Sequence, residues 1–179
     1  YLKTPLATLY RNRISWLIIL VFINLFSGAG IALFETLIGA YVALVFFLPL
    51  LIDSGGNAGS QSATLVIRSM ALGELSLRDF ARTFWREILV SLALGCSMAG
   101  AVFLLAWWRA GIRIGVAVSL SMTAVVVMGS LTGMLLPFIL RKLRLDPAVA
   151  SAPLVTSLVD IFGVLIYFGI ASFFLARAP

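Results

Sequence analysis

The sequence predicts an all-α integral membrane protein with five transmembrane helices per subunit. Three observations carry this. Of 179 residues, 62% are apolar and 11% charged, with a mean hydropathy of +1.13; a soluble domain has about 25% charged and 45–50% apolar residues. Its 13 Lys and Arg and 7 Asp and Glu are too few to cover a soluble surface. The charges also cut the chain into five long apolar runs, near the roughly 20 residues that a helix needs to cross a bilayer. The runs do not alternate as barrel strands do, and lipid admits only helices or closed barrels. Finally, the basic residues cluster on alternate connections.

The first run, Ile14–Phe34, has 21 uncharged residues. It exceeds the roughly 7–15 apolar residues of a signal peptide, and four more runs follow it. Thr36–Ile52 has 17 and contains Pro49. Ile88–Trp108 has 21, and Ile114–Leu140 has 27 with Pro137 near its end. Pro147–Ala176 has 30, interrupted once, by Asp160. The expected spans are about 13–34, 36–53, 87–108, 113–140 and 150–176. Together they form a single transmembrane domain over 1–179. The longest connection, about Asp53 to Glu87, cannot hold a soluble domain. Within it, Ala63–Leu72 is apolar enough to extend the second helix or lie on the membrane. The start at Tyr1 without Met reads as a fragment of a longer protein.

Ten basic residues fall on one side of these spans: Lys3, Arg11 and Arg13; Arg68, Arg78, Arg82 and Arg86; Arg141, Lys142 and Arg144. Three fall on the other, Arg109, Arg113 and Arg177. The positive-inside rule puts the N-terminus in the cytoplasm and the C-terminus outside. Trp16, Trp85, Trp107 and Trp108 sit at span ends, where an aromatic belt belongs. The bilayer is thus the expected partner of the +6 charge. No interleaving of basic and aromatic residues suggests nucleic acid.

The chain has no histidine, which removes the commonest general base and transition-metal ligand. Its one cysteine, Cys96, excludes an intrachain disulfide and reads as a small packing residue.

Asp160 is expensive where it sits, because a carboxylate inside a span costs several kcal/mol. On a helix its neighbours are Thr156, Ser157, Gly163 and Val164, while Leu158, Ile161, Leu165 and Phe168 take the other side. This reads as an inward polar stripe and an ion pathway. A protonated Asp hydrogen-bonded to another helix is the alternative.

A second feature runs from Pro49 to Thr64, PLLIDSGGNAGSQSAT. Its glycines, Gly56 among them, let backbone carbonyls turn toward a cavity. Asn57, Ser60, Gln61 and Ser62 add neutral oxygens suited to a hard, hydrated cation. A loop capping the helix explains the composition equally well. The stretch has neither the Walker lysine nor a GxGxxG pattern. Glu35 and Asp53 bracket the second span and read as solvated helix ends. Gly129-Ser-Leu-Thr-Gly133 and the Gly95/Ala99 pair suggest close helix packing. Arg68, Arg78, Arg82 and Arg86 read as topology determinants that touch lipid headgroups.

The stretch from Pro49 to Thr64, followed by Arg68-Ser-Met-Ala-Leu-Gly73-Glu74, resembles the signature of the MgtE magnesium channels. Asp160 within Pro153-Leu-Val-Thr156-Ser-Leu-Val-Asp160-Ile-Phe-Gly163 resembles that family's pore aspartate. The likeness covers essentially the whole chain. It implies a homodimer with one Mg²⁺ pore at its axis, lined by the second and fifth spans. It gives Asp160 the ion, Thr156 a carbonyl-donor role one turn away, and Asn57 and Gln61 the cytoplasmic end of the pathway. Gly56, Glu35 and Asp53 are further candidates. Members usually also carry an N-terminal domain and a CBS pair that sense cytosolic Mg²⁺; a regulatory partner of that kind is expected outside this chain.

Paired Asp160 carboxylates would match the charge of one Mg²⁺, which dehydrates reluctantly and would keep most of its water. Inflow needs no coupling ion, since about 2.3 kcal/mol per charge per 100 mV already drives it. The rivals are a proton- or sodium-coupled divalent-cation transporter and a non-transporting membrane subunit. A lipid-phosphate enzyme is a third, but it needs clustered acids or a His, and the acids here stand apart.

Overall fold

Segments that are apolar all round are stable only as helices covered by lipid or by one another. The computed structural model describes residues 5–145 and 147–175, and within them the side chains of all but 12, 13, 15, 16 and 147–152. Lys3, Asp146, Ala176 and Arg177, and the side chains of Arg13 and Trp16, lie outside what is described. Among the described residues every regular element is a helix: α1 Leu6–Ala32, α2 Glu35–Ala40, α3 Ala43–Ala71, a 3₁₀ turn Leu77–Asp79, α4 Phe80–Ala110, α5 Ile112–Lys142 and α6 Pro147–Leu175. By length and composition, four of these stretches can cross a membrane: Ala43–Ala71, Leu77–Ala110, Ile112–Lys142 and Pro153–Leu175. In α1 the apolar stretch Leu17–Ala32 is shorter.

The expected second span, 36–53, is wrong in form. It breaks at Tyr41, whose backbone leaves the helical region (φ −133°, ψ 67°). The short α2 precedes the break, and α3 then runs on through Asp53 and the whole glycine-rich stretch to Ala71. Pro49 does not stop it. Gly73 does, with a φ of 74° that closes the helix. Glu74 N–H donates to the Ser69 carbonyl at 3.0 Å and Gly73 N–H to Met70 at 3.3 Å, the paired bonds of a Schellman end. A capping box follows, in which Ser76 N–H donates to the Asp79 carboxylate at 2.9 Å and launches α4 before residue 87. Gly111, at φ 86°, makes the turn into α5.

The central helix is α5, packed by α3, α4 and α6, while α1 lies against α6. Tyr167 of α6 is fully buried and donates its hydroxyl to the Leu44 carbonyl of α3 at 2.9 Å. The α3–α5 contact is made of glycine. A Cβ on Gly129 would strike the Gly55 carbonyl, and one on Gly133 the Gly59 carbonyl. The GxxxG pattern of α5 thus meets a second one, Gly55 and Gly59, on α3. Gly95 of α4 likewise faces Thr123 of α5, and Ser119 donates to the Ala99 carbonyl at 3.2 Å.

Candidate functional site

Glycine spacing decides which face of α3 is left outside. Gly55 and Gly59 turn toward α5 and α6. Residues 53, 57, 60, 61 and 64 share the opposite face of a 3.6-residue helix. Asp53, Asn57, Gln61 and Thr64 are exposed, and Ser60 is partly so. Asn57, Ser60, Gln61, Thr64 and Leu65 line an open groove of about 610 Å³.

The neighbouring wall is α6, running antiparallel to α3. Gly163 faces Ile52, Val159 faces Gly55, Thr156 faces Gly56, and Val155 faces Gly59. A Cβ on Gly56 would stand 3.7 Å from the Thr156 methyl, so Gly56 lets the two helices close up beside the groove. This register puts Asp160 at the depth of Asp53–Gly56. Asp160 is half-buried and Thr156 exposed, on the flank of the seam that carries Asp53 and Asn57. From behind, Ser27 of α1 donates to the Asp160 backbone carbonyl at 3.0 Å. No hydrogen bond or ion pair engages the Asp160 carboxylate among the described residues.

The hydroxyls on this strip donate inward. Thr64 donates to the Ser60 carbonyl at 2.8 Å and Thr156 to the Pro153 carbonyl at 3.0 Å. Asn57 donates its amide to Asp53 at 3.0 Å. The protons are spent on the protein, and the oxygen lone pairs remain for a cation or its water shell. Among the described residues, no group of three or more His, Cys, Asp or Glu side chains forms a cage.

Several sequence expectations change here. Asp53 is not a helix end; it stands inside α3 on the polar face. The glycines do not aim carbonyls at a cavity, because α3 is a continuous helix and they serve close packing. Ser62 offers no oxygen to the groove, being 5% exposed and turned inward. Thr156 stands within the continuous α6, with its hydroxyl on the exposed flank beside the groove. Phe168 is not on an outer side: it is fully buried, stacked on Phe34 with centroids 5.5 Å apart. Cys96 is exposed rather than packed. Glu35 is exposed at the start of α2. It follows Phe34, which packs two turns beyond Asp160, so the strip does not include it. Asp53, Ser60 and Thr64 join Asn57 and Gln61 on this face, as their spacing from Asn57 along one helix requires.

Fold and seam together define a multi-pass membrane protein with an oxygen-lined strip along two packed helices. Residues 48–170 match the family model MgtE, described as a divalent cation transporter, and the chain belongs to that family. It is 40% identical over 168 residues to the magnesium transporter MgtE of Bacillus subtilis, covering 93% of this chain and 37% of that protein. With the magnesium transporter MgtE of Thermus thermophilus it shares 37% identity over 171 residues, 96% of this chain and 38% of the relative. With that of Enterococcus faecalis it shares 33% over 165 residues, 92% and 36%. The chain therefore spans little more than a third of the length of these relatives. It is a multi-pass protein of the cell membrane.

Proposed function

We propose that this chain is an Mg²⁺-conducting transmembrane domain that works as a homodimer. In this reading α1 completes a set of five spans, with the N-terminus in the cytoplasm and the C-terminus outside. The pore runs along the two-fold axis between the α3–α6 seams of two subunits. The carrying observation is the strip of Asp53, Asn57, Gln61, Thr64, Thr156 and Asp160 on the outside of a single subunit. Such side chains are expensive against lipid, and a second copy of the same strip removes that cost by enclosing water between them. The match to a family of divalent cation transporters supports the same reading.

Two Asp160 carboxylates face each other across the axis and balance the charge of one Mg²⁺. The ion keeps most of its water, and the hydroxyl of Thr156 and the oxygens of Asn57 and Gln61 accept hydrogen bonds from that shell. Binding of this outer-sphere kind is weak enough for release. The membrane potential and the ion gradient then drive inflow. The role is transport rather than catalysis. A cytosolic regulatory domain outside this chain would act on the pore by moving α3 or α6.

The test is Mg²⁺ uptake into liposomes holding the purified chain, beside Asp160→Asn, with current reversal read against the Mg²⁺ equilibrium potential. Uptake in the parent, its loss in a well-folded Asp160→Asn, and reversal at that potential are the expected results. Normal uptake in Asp160→Asn would remove the paired-carboxylate site, and a reversal potential that follows pH or Na⁺ would replace the channel by a coupled transporter.

A further inference from the structure

Serine and threonine hydroxyls inside a helix commonly donate four residues back along that same helix. Ser54, Thr64, Ser97, Ser121 and Thr132 all do so. Ser27 does not. Its hydroxyl leaves α1 and donates to the backbone carbonyl of Asp160 on α6 at 3.0 Å. In the apolar stretch Leu17–Ala32 the other side chain able to hydrogen-bond is Asn24, which is exposed. The hydroxyl in the middle of this stretch is thus directed at the residue that carries the intramembrane carboxylate.

The seam around it is apolar. A Cβ on Gly30 would stand 3.5 Å from the side chains of Val164 and Leu165. Just past the end of α1, Phe34 stacks on Phe168. Residue numbers rise together along both helices, so α1 runs parallel to α6. It packs chiefly on α6, and Val21, Phe22, Leu25 and Phe26 are left exposed. Apolar contact is non-directional and leaves two helices free to slide or turn. A hydrogen bond has a preferred distance and angle. The bond from Ser27 therefore fixes the height and rotation of the α6 turn at Asp160. Two further observations make that turn depend on outside support. Pro153, two turns earlier in α6, has no N–H to give to the helix. No hydrogen bond or ion pair holds the Asp160 carboxylate among the described residues, so its place is set by the backbone that carries it.

We propose that Ser27 is a positioning residue for ion binding: its bond to the Asp160 carbonyl holds the carboxylate at the height and angle at which it meets the ion. This rests on the pore reading above. Groups that orient an ion ligand from behind matter because the ligand must stand within a fraction of an ångström of its place. In a homodimer every displacement at Asp160 is made twice across the axis.

The test uses Ser27→Ala, Ser27→Thr and, as a control, Ser97→Ala, whose lost bond lies within α4 alone. Folding of each is checked by melting temperature and elution in detergent. In Mg²⁺ uptake into liposomes, Ser27→Ala should raise the half-saturating Mg²⁺ concentration about fivefold, the factor that one neutral hydrogen bond commands. The maximal rate per folded protein should change little. Ser27→Thr, which keeps a hydroxyl, should restore most of the affinity, and Ser97→Ala should behave as the parent. A merely structural serine would lower the yield of folded protein without moving half-saturation. The second readout needs no ion. Asp160→Cys, in a Cys96→Ala background, keeps the backbone carbonyl that Ser27 meets. Its labelling by a water-soluble thiol reagent should change in rate on adding Ser27→Ala and return toward the parental rate with Ser27→Thr. Parental half-saturation in Ser27→Ala, an equal shift in Ser97→Ala, or unaltered labelling would each overturn the proposal. A parent chain that carries no Mg²⁺ would count against the pore reading instead, and labelling would then decide the role of Ser27 by itself.

Discussion

Alanine substitutions at the glycines should separate by the atoms that each new methyl meets. At Gly129 the methyl falls on the Gly55 carbonyl, and at Gly133 on the Gly59 carbonyl. The obstacle is backbone on a neighbouring helix, so no rotamer change relieves it. The helices must move apart and give up dispersion contacts along the whole seam. Overpacking of this kind costs about 1–3 kcal/mol. For a chain of this size that corresponds to a fall in melting temperature of about 2–12 °C. Gly95 is a milder case: its methyl would stand 3.1 Å from both the Cα and the carbonyl oxygen of Thr123, and a shift of a few tenths of an ångström suffices. Gly100, with nothing within 4 Å, is the control. There alanine should be neutral or should stabilise α4 by up to about 1 kcal/mol through helix propensity. The assay is thermal unfolding in one detergent, with all four variants scanned together. The expected order of stability is Gly100→Ala, then Gly95→Ala, then Gly129→Ala and Gly133→Ala. Melting of the last two together with Gly100→Ala would refute the glycine-on-glycine seam.

Other changes follow from single contacts. Tyr167→Phe removes the donor to the Leu44 carbonyl from a fully buried site and should lower stability by about 1 kcal/mol, with Mg²⁺ uptake per folded protein preserved. Gly73→Ala forces a side chain into φ 74°; it should cost about 1–2 kcal/mol and speed amide exchange in the last turn of α3. Asp53→Asn keeps an acceptor for the Asn57 amide but removes a negative charge from the strip, so Mg²⁺ uptake should fall at low Mg²⁺ and approach the parental rate at saturation.

The membrane class and most of the helices were legible because lipid tolerates so few alternatives. A run such as Ile114–Leu140 can only be a helix, and α5 spans it with two residues to spare on either side. The second span was misread for a related reason. A charge is a reliable end only where the helix faces lipid, and Asp53 belongs to a face that does not. Cutting at that charge shortened α3 and turned its continuation into a connection. The break at Tyr41 left no charge, proline or glycine-pair signal at the residue itself. Asp160 was readable because it has no neighbour in its span to neutralise it. The inward turn of Phe168 was not readable, because the polar residues of α6 mark only one face and leave its apolar remainder undivided between lipid and core. Only packing against Phe34 and α3 decides which ring is covered.

The glycines of α3 line no cavity, and what they do instead explains the polar strip. A helix in a bilayer must put every face against something that tolerates it. Gly55 and Gly59 give one face of α3 to α5 at backbone distance, and Gly56 gives the next to Thr156 of α6. With two neighbours so close, the remaining face is narrow, and Asp53, Asn57, Gln61 and Thr64 occupy it. Larger residues at 55, 56 and 59 would push α3 outward and separate Asp53 and Asn57 from Thr156 and Asp160. The oxygens would then no longer form one strip. Close packing and ion handling are therefore one requirement on the same two turns of helix. For that reason glycines alternate with amides, hydroxyls and a carboxylate in the middle of a helix that is still apolar enough to cross a membrane.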